Sequence, residues 1–145
     1  DFALKDFDRP LSTRGIQDAD LMGNYFRSKK IKLDIIFSSP SKRTRETLEH
    51  FFQSEKPNIK FEESIYHASL DQILSVIFGT PDDLKNIMVV GHNPSMHEIT
   101  EYLANKLINK YPTCCLAALT IDSSWNEISQ GCGKLEFIKK PSELR

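Results

Sequence analysis

The residues best placed to do chemistry are one histidine and two arginines, each at the mouth of a helix. His92 lies in Asn86-Ile-Met-Val-Val-Gly-His-Asn-Pro-Ser95, and Arg43 in Asp34-Ile-Ile-Phe-Ser-Ser-Pro-Ser-Lys-Arg-Thr-Arg-Glu-Thr47. Arg9 lies in Phe7-Asp-Arg-Pro-Leu-Ser-Thr-Arg-Gly15. A cation in the first turn of a helix opposes the helix dipole, so Arg43 costs stability unless an anion compensates. Exposed helix N-termini bind phosphate through backbone N–H groups, and a planar guanidinium adds a two-pronged donor. Taken singly, each feature has an ordinary alternative: His92 as a hydrogen-bonded loop histidine, Lys42 and Arg45 as solvated charges. Taken together they describe a site for a tetrahedral oxyanion.

Regular elements must carry these groups. Ile87 to Val90 is apolar and rich in β-branched residues, which reads as a buried strand, with Gly91 and Pro94 ending it. Ser95 can cap a helix running from Met96 to Ile108, with Met96, Ile99, Tyr102 and Leu103 inward. His92 then sits at the carboxyl end of a strand, in the crevice where open α/β sheets bind ligands. Ile35–Phe37 is a second buried strand; Ser38, Ser39 and Pro40 form the turn into a helix over Lys42–Phe52. Arg14–Ser28 reads as a helix capped by Ser12 or Thr13 and weakened by Gly15 and Gly23. Lys60–Tyr66 reads as a short extended piece and Leu70–Phe78 as a helix. Cys114–Ile121 and Lys134–Ile138 are strands with no helix between them, hence an antiparallel hairpin. The fold class is therefore α/β: a single three-layer domain over residues 1–145, with a mostly parallel central sheet, helices on both faces and a C-terminal antiparallel hairpin. Connections read as short, leaving little chain for a lid and predicting a shallow, open site.

Composition narrows the function without choosing it. The net charge is −1, from 19 basic and 20 acidic residues, so no field exists to attract a polyanion. Nucleic acid and membrane surfaces are not expected partners, and no apolar run reaches membrane-spanning length. Three cysteines, with Cys114 and Cys115 adjacent, make no disulfide framework and fit a reduced, cytoplasmic setting. Cys114 and Cys115 read as apolar strand residues. No Cys-x-x-Cys pair occurs, and His92 and His97 are five apart, not the four that places two ligands on one helical face. No metal and no cofactor is expected.

The segments carrying Arg9, Arg43 and His92 resemble the histidine phosphatase superfamily, most closely its small SixA-type phosphohistidine phosphatase branch. The matching stretches are Asp8-Arg-Pro-Leu-Ser-Thr-Arg-Gly15, Ser38-Ser-Pro-Ser-Lys-Arg-Thr-Arg-Glu-Thr47 and Val90-Gly-His-Asn-Pro94. Pro112-Thr113, Trp125 and Phe137-Ile-Lys-Lys-Pro-Ser-Glu-Leu144 follow in the same order. The resemblance implies a phosphoglycerate mutase-like fold and metal-free, two-step phosphoryl transfer through a phosphohistidine. It implies that Arg9, Arg43 and His92 bind the phosphoryl oxygens, with His92 at least partly protonated in the complex. The implied substrate is a phosphohistidine on a protein; the alternatives are a small-molecule phosphomonoesterase or mutase on the same fold, and a non-catalytic phosphate-binding module.

One departure stands out. The family's nucleophilic histidine closes the first strand in an Arg-His-Gly or Arg-His-Ala tripeptide, upstream of the Arg9 segment. Here the chain opens at Asp1 without it, and His50, His67 and His97 lie in other contexts. The expectation is a domain lacking its N-terminal strand, able to bind phosphate but not to form a phosphoenzyme by itself. Broader family members place a carboxylate three residues before a tyrosine, and Glu63-Ser-Ile-Tyr66 has that spacing. Glu63 is thus the candidate general acid, or else a solvated carboxylate at a strand end.

Overall fold

The computed structural model describes residues 6–145. Ser12 opens α1 (Thr13–Ser28) by accepting the Gly15 amide at 3.0 Å. After β1 (Ile35–Ser38) and α2 (Lys42–Phe52) come β2 (Ile59–Phe61) and a 3₁₀ turn, Glu63–Ile65. Next is α3 (Leu70–Phe78), whose start is fixed by a reciprocal capping box between Ser69 and Gln72. Then follow β3 (Ile87–Val90), α4 (Ser95–Ala104), β4 (Leu116–Ile121) and β5 (Gly133–Lys139).

The three parallel strands are ordered β2-β1-β3. Alternation along each strand sends successive residues to opposite faces. Ile36, Met88 and Val90 pack with Met22, Phe26, Leu48 and Phe51 of α1 and α2. Ile35, Phe37, Ile87 and Val89 pack with Ile73, Ile77, Ile99 and Leu103 of α3 and α4. Helices thus cover both faces, as the sequence pattern predicts. Each fully buried aliphatic side chain contributes about 1.5–3 kcal/mol, so the two layers hold the strand ends firmly. α1 and α2 meet backbone to backbone. A Cβ on Gly23 would collide with the Phe51 carbonyl, so this glycine permits the approach. Arg27 Nη1 donates to the same carbonyl at 2.6 Å.

At the amino end of the sheet, the Asp34 carboxylate accepts the Lys85 and Asn86 amides at 2.8 and 2.9 Å. Those two bonds hold its carboxyl below its usual range, and they tie β1 to β3.

β4 and β5 pair antiparallel as a separate two-stranded sheet. Among the described residues, β3 and β4 each keep one unpaired edge, with a cavity of about 1030 Å³ between them. Ile87, Met88 and Val89 line one side of it, and Ala117, Ala118 and Leu119 the other. β3 is therefore half-buried rather than fully buried, because its outer flank faces this gap.

Three further expectations are corrected. α4 ends at Ala104, not Ile108, because Asn105 turns left-handed (φ 51°) and leaves Leu107 92% exposed. Cys114 and Cys115 precede β4, and Cys114 adopts φ 64°, which no strand accommodates. The connection over residues 105–115 is long, and it runs back along α4. His97 Nε2 donates to the Ile108 carbonyl at 2.6 Å, and Asn93 Nδ2 donates to the Tyr111 carbonyl at 2.8 Å. Among the described residues, no helix is long and apolar enough to cross a membrane.

Candidate oxyanion site

β1 and β3 deliver their carboxyl ends side by side, and the Ser39 amide extends the pairing to the Val90 carbonyl at 2.9 Å. His92 follows two residues beyond Val90, with its Nε2 2.8 Å from the Oγ of fully buried Ser39. Its Nδ1 lies 3.5 Å from Nη2 of Arg43, the second residue of α2. A guanidinium can only donate, so Nδ1 must accept and the ring proton sits on Nε2, directed at Ser39. Ser95 plays a different part from the one its position predicts. Pro94 occupies the cap position of α4, and the Ser95 hydroxyl donates to the His92 carbonyl at 2.8 Å. The bond fixes the backbone that carries the imidazole.

Asp6 organises the other side of Arg43. Its Oδ1 lies 2.9 Å from Arg43 Nη1, and its Oδ2 accepts the Tyr66 hydroxyl at 2.6 Å. The Asp6 carbonyl accepts the Arg9 amide at 3.1 Å, which turns the Arg9 segment beside the pair. Glu46 on α2 then takes the Leu11 amide at 2.8 Å, so one helix carries Arg43 and anchors the Arg9 segment. The Tyr66 ring meets His92 edge-on at 5.4 Å and His67 at 4.1 Å between centroids.

The electrostatics follow from this packing. Burial, then the neighbouring Arg43 charge, then His67 push the His92 imidazole down to about 4, against an opposing pull from Asp6. The ring is thus neutral at pH 7 while no anion is present. The Tyr66 hydroxyl and Arg43 hold the Asp6 carboxyl at about 2, and burial followed by Asp6 raises Tyr66. Asp6 neutralises one face of Arg43, and the other face, at Nη2, meets an uncharged imidazole.

Of the residues singled out by sequence, Arg43 and His92 are brought into contact. Arg9 is exposed, makes no side-chain hydrogen bond among the described residues, and lies near enough to lower Asp6 and Tyr66. Glu63 is exposed on its 3₁₀ turn, where its carbonyl, not its carboxylate, accepts the Tyr66 amide at 3.0 Å. Lys42 and Arg45 are exposed on α2, as solvated charges would be. Ser39, Asp6, Tyr66 and His67 join the site with no sequence signal of their own, because contacts across 37 to 60 residues made them neighbours. No group of three or more His, Cys, Asp or Glu among the described residues has a metal-holding arrangement.

Comparison with known proteins gives the family of the chain. The model of the histidine phosphatase superfamily (branch 1) matches residues 4–73. An uncharacterised chloroplastic protein of Arabidopsis thaliana, At3g52155, is 33% identical over 97% of this chain and 72% of its own length. The chain belongs to the histidine phosphatase superfamily. Within it, the fold is that of the SixA-type branch. The structure of a candidate phosphohistidine phosphatase SixA from Nakamurella multipartita superposes with a TM-score of 0.84 at 22% identity, over 94% of this chain and 87% of that one. A protein histidine phosphatase SixA solved with tungstate gives 0.82 at 20% identity, over 97% and 89%.

Proposed function

We propose that this superfamily member binds the phosphoryl group of a phosphohistidine presented on a protein, and that it works in a metal-independent phosphatase acting through its own phosphohistidine intermediate. The contact that carries the reading is Arg43 against His92 at 3.5 Å. Two groups able to hold positive charge face each other there, an arrangement that a bound dianion stabilises. Such an anion raises the imidazole's proton affinity, so His92 takes up a proton as the phosphoryl group enters. His92 and the Arg43 and Arg9 guanidiniums then neutralise the equatorial oxygens, the role Mg²⁺ plays in other phosphoryl-transfer enzymes. Charge-assisted hydrogen bonds of this kind contribute roughly 1.5–3 kcal/mol each. The tungstate seen in the structurally similar SixA is a tetrahedral oxyanion of the same class, which supports this reading.

The attacking histidine in this scheme comes from a strand occupying the gap between β3 and β4. Both facing edges there are unpaired among the described residues, and the walls are apolar. A strand parallel to β3 would end beside His92. The proton for the leaving group comes from the rim around Tyr66.

The test uses the full polypeptide with that strand, a phosphohistidine peptide, a panel of phosphomonoesters, and chelator in the buffer. The expected result is a trapped phosphoenzyme and preferential turnover of the phosphohistidine. Preference for a small phosphomonoester would move the substrate to that class. Absence of both phosphoenzyme and turnover would sink the reading.

A further inference from the structure

We propose that His67, on the rim of the oxyanion site, is the group that gives a proton to the leaving nitrogen and later takes one from the attacking water. This deepens the phosphatase reading above and rests on it. Three observations place the ring. It packs at a 47° tilt on Tyr66, 4.1 Å between centroids, and the Tyr66 ring meets His92 at 5.4 Å. Its Nε2 lies 3.9 Å from Asp6 Oδ2, and the same carboxylate holds Arg43. Its side chain is 63% exposed, so a substrate can reach it while one flank stays fixed by Tyr66. The charged and titratable groups that face it are Asp6, Tyr66 and His92. The residue also holds a left-handed φ of 55°, a conformation that non-glycine residues rarely adopt and that collects at functional sites.

The chemistry suits an imidazole there, since its ring nitrogens can both give and accept a proton, as the two steps require. In the first step the nucleophile's lone pair forms the new bond to phosphorus. The P–N bond of the substrate breaks, its electron pair stays on the leaving imidazole, and a ring proton of His67 moves to that nitrogen. The Asp6 carboxylate pairs with the protonated form of the His67 ring before transfer. In the second step neutral His67 accepts a proton from water as its oxygen attacks phosphorus and the phosphoenzyme P–N bond breaks. Glu63, the competing candidate, is exposed with no side-chain hydrogen bond or ion pair among the described residues.

The test compares His67→Asn and Glu63→Gln in the full polypeptide on two substrates: a phosphohistidine peptide and p-nitrophenyl phosphate. Nitrophenolate leaves without a proton, so only the first substrate needs the acid. Asparagine tolerates the left-handed backbone, which keeps the loop intact. Read as the single-turnover rate of phosphoenzyme formation, the half-reaction before water enters, His67→Asn is expected to slow transfer from the phosphohistidine peptide about 10²-fold, in the usual range for a general acid. Phosphoenzyme formation from the aryl phosphate should change by less than about threefold, because that half-reaction needs no proton. An equal loss on both substrates, no loss on either, or a selective loss only in Glu63→Gln would overturn the assignment. A parent polypeptide inert to both substrates would instead overturn the phosphatase reading beneath it.

Discussion

At the start of β1, the Asp34 carboxylate accepts two backbone amides from the neighbouring turn and is satisfied by the fold itself. At the end of the same strand, five residues later, Ser39 meets an imidazole that faces a guanidinium, with no acid between the two. One end spends its charge on architecture, and the other leaves one face of a paired guanidinium turned to an uncharged ring. The contrast separates a structural electrostatic contact from the one proposed as functional: the first lowers a carboxyl and stabilises the protein, the second lowers a histidine beside the proposed place of the phosphoryl group. Asp6 lies between these cases, since it satisfies one face of Arg43 and leaves Nη2 directed at His92.

The largest effect should come from deleting the ligand-facing groups. Arg43→Ala and His92→Ala in the full polypeptide should each lower turnover by about 10²–10³, the loss typical of one preorganised donor. Thermal midpoints should stay near the parent value. Near-parental turnover in both variants would erase the distinction between the two ends of β1.

The second effect concerns protonation. His92 is held at about 4, so the ligand-free chain should lose stability as the pH falls from about 6.5 toward 4. The sign follows because the unfolded chain binds that proton more readily than the folded one. His92→Gln should flatten this part of the pH–stability curve. Phosphate or tungstate should raise the ring's titration midpoint, read directly from its NMR shifts. An unmoved midpoint on anion binding would mean that the anion sits elsewhere.

A third, smaller effect tests the closed end. Asp34→Asn should lower the thermal midpoint at pH 7 and leave turnover intact. The lowered carboxyl gives its stabilisation above the unfolded value, so the gap between parent and variant should close as the pH drops below about 4. The smallest change is expected for Ser39→Ala, roughly 2- to 12-fold in kcat/KM, because one neutral hydrogen bond contributes about 0.5–1.5 kcal/mol.

Sequence carried the fold where punctuation was sharp. Leu70–Phe78 and Ile87–Val90 have the limits read from the sequence, Gly91 ending the strand, and the Ser69 capping box fixes the start of the helix. It failed where apolar spacing outran a backbone signal. Leu107 and Ile108 continued the helical period of α4, but Asn105 had already stopped it by turning left-handed. Cys114 and Cys115 matched a strand in composition, yet the φ of 64° at Cys114 belongs to a turn. Within the site, Arg43 and His92 were legible because each follows a recognisable strand and turn. Asp6, Ser39, Tyr66 and His67 were not, because their importance comes from distant partners that no local pattern records.

The collision that any side chain at position 23 would suffer with the Phe51 carbonyl has a further consequence for tuning this molecule. At Gly23 the helix that follows the Arg9 segment and the helix that bears Arg43 approach main chain to main chain. At that crossing the spacing of the two helices cannot widen or narrow by a change of side chain at position 23 without moving backbone. A pocket for a bulkier anion would have to be obtained by changing loop length, not by repacking.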